Sequence, residues 1–246
     1  MKAIQYCCFF LLAVMPWRAA PALAQGVMVK AHVVIATEKG RLQGPDRDSS
    51  IVFWLTPVKG WEGPPPHARE SGQRPQLVQR HKQFVPHVLA VEAGSVVDFP
   101  NHDPFFHNVF SLFDGKRFDL GLYEAGSTRS VHFDRPGICY IFCNIHPQMS
   151  AIVVVVDTPY FAVSNGQGDV AIPNVPPGRY KLDLWAERCA SRTLQAASRT
   201  VDVGSSELSL GTIQLEESRE LVMVHPNKYG RSYDPEVFSS PIYAQP

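Results

Sequence analysis

The sequence predicts an all-β fold made of two β-sandwiches, the second smaller than the first. Short runs rich in Val, Ile, Phe and Tyr alternate with clusters of Gly, Pro, Asn and Asp, as in strands joined by turns. No segment after residue 24 has the pattern of a convincing amphipathic helix. A chain of 246 residues has room for one large or two small domains.

The first 24 residues have the pattern of an export signal. Lys2 supplies the positive charge, an apolar run spans residues 9–15, and Ala22-Leu23-Ala24 is a small-x-small cleavage site. A membrane helix is the alternative, but the apolar run is too short and is interrupted by Pro16 and Arg18. We therefore expect a protein that is periplasmic or otherwise exported, with no membrane span.

Charge and cysteine content narrow the class of protein further. Loss of the signal removes two of 23 basic residues, which leaves 21 against 23 acidic residues, and this balance gives no indication of nucleic-acid binding. Three cysteines remain after cleavage, Cys139, Cys143 and Cys189. An odd number in an oxidising compartment indicates at least one thiol that is free or bound to something, such as a metal.

The first part of the mature chain divides into an N-terminal β segment and a longer core. Residues 25–78 form the segment and include a Pro-rich loop between Gly60 and Pro75, which we expect to be exposed. Residues 79–157 form the core. The predicted strands of both parts are residues 28–36, 51–57, 84–91, 95–99, 108–111, 128–133, 138–143 and 151–157.

A second block follows at residues 158–216. Asn165-Gly166 marks a turn, and residues 173–178 are predicted to be a loop. Tyr180, Leu182 and Leu184 alternate with polar residues as in a half-buried strand, and a closing strand is predicted over residues 208–215. The proline-containing tail, residues 217–246, is predicted to be irregular.

The most informative segment is residues 137–149. A predicted strand ends in Cys143, and His146 and Met149 follow at intervals of three. Copper that alternates between two oxidation states prefers a thiolate, two imidazoles and a weak axial thioether. The loop supplies three of these four groups, and His107 is the obvious donor of the second imidazole.

These residues resemble the cupredoxin family. The Cys143-x2-His146-x2-Met149 loop is similar to that of amicyanin, and His107-Asn108-Val109 is similar to the upstream ligand segment of plastocyanin-like proteins. The run Phe99-Pro100-Asn101-His102-Asp103 also fits. Residues 79–161 resemble bacterial exported proteins of the methylamine-utilisation type, in which a carboxypeptidase-regulatory-like sandwich follows the copper domain; residues 168–185 fit that second module.

The resemblance implies a Greek-key cupredoxin sandwich that binds one copper ion. His107, Cys143 and His146 would be the equatorial ligands and Met149 the axial ligand, and Asn108 would fasten the two ligand-bearing segments. It also implies a type 1 copper protein that carries single electrons to or from a periplasmic partner such as a c-type cytochrome or a dehydrogenase. The alternative is a copper-handling protein. An enzyme is not expected, because multicopper enzymes need His-x-His pairs and the sequence has none.

Cys139 raises the alternative of a binuclear copper site. In a continuous strand, four residues separate Cys139 from Cys143 by about 13 Å, too far to share a metal. We therefore expect Cys139 to be a packing residue. Phe106, next to His107, is separately expected to be an ordinary core residue. The outward face of the strand that carries Cys139 is apolar too, which indicates that something covers it. We expect the C-terminal block to be that cover, with the N-terminal segment or a partner as the alternatives.

Overall fold

The computed structural model describes residues 26–37, 42–43, 50–58, 74–112, 115–218 and 226–233. Within these ranges the chain forms seventeen strands and one short helix, so the all-β prediction is confirmed. The predicted export signal and most of the Pro-rich loop lie outside the described residues. No helix in the described ranges is both long and apolar enough to cross a membrane.

Most predicted strands are observed within one or two residues of their expected bounds. The strands are β1 Val27–Ala36, β2 Leu42–Gln43, β3 Ile51–Pro57, β4 Val78–Arg80, β5 Gln83–Val85, β6 Val88–Glu92, β7 Ser95–Pro100, β8 His107–Ser111, β9 Phe118–Tyr123, β10 Thr128–Phe133, β11 Gly137–Cys143, β12 Ser150–Val156, β13 Phe161–Val163, β14 Asp169–Val175, β15 Gly178–Ala186, β16 Arg199–Val203 and β17 Leu208–Glu216. The helix, α1, spans Ser191–Ala197.

Of the five sheets in the described chain, four are stacked around three apolar cores, and the fifth is the two-stranded β4-β5 sheet. Sheet I has the order β14-β1-β17 with β2 beside β1, sheet II is β13-β3-β15-β16, sheet III is β6-β12-β11-β8-β9, and sheet IV is β7-β10. One core lies between sheets I and II, a second between II and III, and a third between III and IV. The two outer pairs of sheets are the two β-sandwiches.

The sandwich of sheets I and II takes its strands from the two ends of the described chain. The sandwich of sheets III and IV, here called the metal-site sandwich, lies between them in the sequence. β1 pairs with β14 and, in parallel, with β17, while β3 pairs with β13 and β15. A block of about 60 residues buries little core by itself. The strands of segment 25–78 supply the missing half, because Phe53 and Leu55 pack against Tyr180 and Leu182 in one core.

Sheet II covers the outward face of sheet III, the sheet whose strands β8 and β11 carry His107 and Cys143. Ile152 and Val154 of β12 pack against Val52 of β3 and Phe161 of β13, with Trp185 of β15 partly buried beside them. The C-terminal block and the N-terminal segment therefore both contribute to the cover, since β13 and β15 belong to the former and β3 to the latter. The alternation within β12 explains why every position from 151 to 156 is buried.

The two sandwiches are also joined by polar contacts. His87 Nε2 lies 2.7 Å from Glu187 Oε2, and His87 Nδ1 lies 3.1 Å from the Ser150 carbonyl oxygen. In the connection after β12, the buried Thr158 hydroxyl donates to the Leu55 carbonyl at 2.9 Å. The connection is thus tied to sheet II over its short length.

Several local predictions were wrong. Residues 173–175 belong to β14 rather than to a loop, and Pro173 is tolerated because β14 is an edge strand. The helix α1 was missed because it buries no residue and lacks a capping side chain, so it leaves no amphipathic pattern. The predicted strand over residues 84–91 is two strands, β5 and β6, separated at Pro86 and His87.

Candidate metal centre

The four predicted ligands come from two neighbouring strands and one tight loop. His107 begins β8 and Cys143 ends β11, and these strands pair so that Cys143 lies opposite Val109. After Cys143 the chain turns back sharply. The Met149 amide donates to the His146 carbonyl at 2.9 Å, and the Cys143 amide donates to the Met149 carbonyl at 3.2 Å. The Asn144 amide donates to the Asn108 carbonyl at 2.9 Å and joins the loop to β8.

Three of the predicted ligands converge on one point. Cys143 Sγ lies 3.6 Å from His107 Nδ1 and 3.5 Å from His146 Nδ1. The two imidazole rings are 4.8 Å apart between centroids, and all three side chains are buried. Within the described part of the chain, no other group of three or more His, Cys, Asp or Glu side chains brings its possible ligand atoms this close together.

Asp103 orients the His107 ring, and sequence reasoning gave it no role. Its Oδ2 lies 2.9 Å from His107 Nε2, so that Nε2 carries the proton and Nδ1 presents its lone pair toward Cys143. The same carboxylate accepts hydrogen bonds from the His81 and Lys82 amides, at 2.6 and 3.0 Å. Both of these turn residues have positive φ, 55° each, and the carboxylate satisfies the two amides that this turn directs inward.

An aromatic ring closes one side of the cluster. The Phe105 centroid lies 5.3 Å from that of His107 and 5.5 Å from that of His146. The Lys82 ammonium lies 5.6 Å from the Phe105 centroid. These contacts shield the imidazoles, and only 3% of His146 is exposed.

The electrostatic environment favours neutral imidazoles. Burial lowers the pKa of His107 and outweighs the opposite effect of Asp103. Burial, then the charges of His107 and Lys82, lowers the pKa of His146 to about 4. Burial acts to raise the pKa of Asp103, but hydrogen bonds from Lys82, His107 and His81 outweigh it and the pKa is lowered. At neutral pH, Asp103 is therefore ionised and each imidazole has a lone pair available for a metal.

The thiol of Cys143 has its own hydrogen-bond donors. Burial raises its pKa, whereas the backbone N–H groups of Asn108, Ile145 and His146 lower it. A metal ion would replace the thiol proton, and the three N–H groups would then stabilise the thiolate.

The other residues considered from sequence lie as follows. Met149 is fully buried in the core between sheets III and IV, which also contains Cys143. Cys139 is buried in the same core and is not part of the His–Cys–His group, as expected for a packing residue. His102 is exposed. The prediction that Phe106 is a core residue was wrong, because 51% of it is exposed.

The donor set fits copper. Two imidazole nitrogens and one thiolate, with a thioether at the end of the same loop, are the groups that hold copper in single-electron sites. The contact between His107 Nε2 and Asp103 leaves Nδ1 facing the thiol, and metal-binding histidines are commonly oriented by such a partner.

Comparisons with known proteins give matches among solved structures alone. No protein-family model and no curated protein matches the chain. A purple cupredoxin from Nitrosopumilus maritimus is 22% identical with a TM-score of 0.31, and the match covers 33% of this chain and 99% of that one. For a reduced Cu(I) form of an amicyanin mutant, identity is 21%, the TM-score is 0.33, and 37% of this chain and 91% of that chain are covered. A copper-containing nitrite reductase from Thermus scotoductus is 24% identical with a TM-score of 0.33; the match covers 41% of this chain but 25% of the reductase.

Proposed function

We propose that this chain is an exported type 1 copper protein that binds one copper ion and carries single electrons between periplasmic redox partners. His107, Cys143 and His146 are the strong ligands in this proposal, and Met149 is the weak axial ligand. The observation that carries it is the approach of both Nδ1 atoms to Cys143 Sγ, within 3.5 to 3.6 Å, in a buried pocket. The bound ion would supply a couple between Cu(I) and Cu(II).

The residues of the chain provide rigidity rather than bond-making chemistry. Asp103 holds the His107 ring, the loop hydrogen bonds hold Cys143 and His146, and Phe105 packs on both rings. Since each ligand is fixed by contacts that do not involve the metal, its position changes little when the charge at the site changes. Small rearrangement favours fast electron transfer, and no side chain here is needed as a general acid or a nucleophile.

Burial of the cluster favours an electron carrier over a protein that hands copper to others. A handling protein must release its ion readily, whereas His107, Cys143 and His146 are at most 3% exposed. Partners of the carrier would be a c-type cytochrome or a dehydrogenase of the same compartment.

Titration with Cu(II) tests the proposed ligands. The wild-type protein should take up one ion and develop an intense visible band from thiolate-to-copper charge transfer, because Cys143 is the single thiol in the cluster. Cys143→Ala should lose the band, and Cys189→Ala, which removes a buried thiol of the other sandwich, should keep it. An unchanged band in Cys143→Ala would contradict the ligand assignment.

Reversible voltammetry tests the carrier function. The copper-loaded protein should give one reversible wave with copper retained over repeated cycles. Loss of the ion on reduction would favour the copper-handling alternative.

A further inference from the structure

The C-terminal tail makes specific contacts with the metal-site sandwich at residues 226–233. This stretch is a compact turn built around Asn227, whose side-chain oxygen accepts hydrogen bonds from the amides of Tyr229 and Arg231 at 3.0 and 3.1 Å. The Asn227 amide donates to the Arg231 carbonyl at 2.8 Å, and Gly230 provides the positive φ, 73°, that the turn needs. The turn therefore holds its own shape and presents side chains from both ends.

Both ends of the turn bind the ligand loop directly. The Tyr233 hydroxyl donates to the carbonyl oxygen of Cys143 at 2.9 Å. The Lys228 amide donates to Asn144 Oδ1 at 3.0 Å. Two consecutive residues of the ligand loop, one of them the proposed thiolate ligand, are thus held by tail residues 84 and 90 positions away in the chain.

The Lys228 side chain reaches the other ligand-bearing segment through Asp119. Its ammonium lies 2.8 Å from Asp119 Oδ2, and 19% of the lysine side chain is exposed. The other oxygen of Asp119 accepts from Asn108 Nδ2 at 2.6 Å, and Asn108 directly follows His107. One carboxylate therefore connects the tail to the segment that carries the first imidazole.

We propose that residues 226–233 form a strap that holds the two ligand-bearing segments against each other, with Tyr233 and Lys228 as its positioning residues. Its role in retaining copper rests on the proposed function, whereas its hold on the ligand loop does not. The strap limits local opening of the loop around Cys143, and so limits access of reagents to the thiol and escape of the ion. Tyr233 acts through the Cys143 carbonyl, and Lys228 acts through the Asn144 side chain and the Asp119 carboxylate.

The thiols of the metal-free, full-length protein provide a direct test. Iodoacetamide is added to native protein, and peptide mass spectrometry gives a separate alkylation rate for Cys143, Cys139 and Cys189, all three of which are buried. Tyr233→Phe keeps the ring but loses the donor, and Lys228→Met loses the ion pair. Each change should raise the Cys143 rate about two- to tenfold, the effect of one lost hydrogen bond on a local opening equilibrium. The rates at Cys139 and Cys189 should not change.

Two matched variants control for loss of the same groups elsewhere. Tyr180→Phe removes an equivalent hydroxyl contact, 2.9 Å to the Pro176 carbonyl, in the other sandwich. Lys116→Met removes a Lys–Asp contact of 2.7 Å with Asp134. Both should leave the Cys143 rate at its wild-type value. An unchanged Cys143 rate in the Tyr233→Phe, Lys228→Met double variant would overturn the strap, and so would an equal rise at all three thiols, which would indicate general destabilisation.

The copper-loaded protein provides a second readout. Transfer of Cu(I) to bathocuproine disulfonate should be faster in Tyr233→Phe than in wild type or Tyr180→Phe; equal rates in all three would overturn the role of the strap in copper retention. If the wild-type protein takes up no copper at all, the proposed function fails, and the thiol rates still decide whether the strap holds the loop.

Discussion

At the scale of single residues, the candidate site depends on groups that hold the ligands as much as on the ligands themselves. Asp103 fixes the tautomer and orientation of His107, Phe105 packs on both imidazoles, and backbone hydrogen bonds from Asn108, Ile145 and His146 act to lower the pKa of Cys143. Each of these contacts joins one protein group to another, so it restrains a ligand side chain independently of the metal ion.

The axial position is the place where one substitution should tune the site without emptying it. Met149→Leu preserves side-chain volume in a fully buried position but removes the thioether. We expect full copper binding and colour, with a higher reduction potential, because the weak axial donor stabilises Cu(II) more than Cu(I). Metal analysis and voltammetry measure both quantities. Loss of copper from this variant would mean that Met149 is more than a weak axial ligand.

Cys139 should be dispensable for copper. It lies in the core of the same sandwich, and burial raises its pKa to about 11, so the thiol stays protonated at neutral pH. In Cys139→Ser, copper stoichiometry and spectrum should match wild type, while the free energy of unfolding falls by about 1–3 kcal/mol, because a polar group replaces a buried thiol. A copper spectrum that disappears with this change would favour a binuclear site.

Sequence reasoning named the three residues that cluster in the structure, because the spacing of Cys143 and His146 is local and the segment around His107 has a family resemblance. Cys143, His146 and Met149 lie within seven residues, and few structures other than a metal site explain that spacing next to a strand end. Asp103 and Tyr233 could not be found in the same way. Their importance depends on which backbone and ring atoms they reach, and a lone Asp or Tyr in a polar segment carries no pattern that reveals such a partner.

At the scale of elements, the pairing of β8 with β11 positions the site, and the packing of sheet II on sheet III supports it from behind. The alternate side chains of β12 face two different cores, with Val153 toward sheet IV and Ile152 toward sheet II. This explains the two-sided apolar pattern of the strand. It also means that the ligand-bearing sheet has no solvent-exposed face at its centre.

The interface between sheets II and III should carry a large part of the stability of this region. Ile152 is 1% exposed in that interface, so Ile152→Ala should lower the free energy of unfolding of the metal-free protein by about 2–5 kcal/mol through loss of buried surface and a residual cavity. Leu122, 59% exposed, is the control, and Leu122→Ala should change stability by no more than about 0.5 kcal/mol. Denaturant titration measures both. Equal effects would show that the interface contributes little.

At the scale of the whole molecule, the first and last strands of the described chain belong to the same sandwich. β1 to β3 lie in sheets I and II, the strands of sheets III and IV follow, and β13 to β17 return to sheets I and II. β1 and β3 pair with β17 and β15, which lie more than a hundred residues later. Strand propensities predicted most of these strands individually, because β-branched runs and turns are local. Their partners could not be predicted, since a parallel pair such as β1 and β17 leaves no turn between its members.

Removal of the C-terminal block should therefore disrupt more than a separate module. In a chain that ends at Thr158, β3 would lose β13 and β15, and Phe53 and Leu55 would be exposed to solvent. We expect this shortened protein to aggregate or to unfold at a much lower temperature than the full chain. Light scattering and thermal unfolding measure these outcomes. A soluble monomer as stable as the full protein would contradict the shared core.

Electron paramagnetic resonance of the Cu(II)-loaded protein tests most directly whether His107, Cys143 and His146 form a mononuclear copper site. With metal analysis on the same sample, we expect one copper ion per chain and a signal with the small parallel hyperfine splitting that strong delocalisation onto a single thiolate produces. A signal shared between two copper nuclei, or the large splitting of copper held by nitrogen and oxygen donors alone, would contradict a mononuclear site with a thiolate ligand.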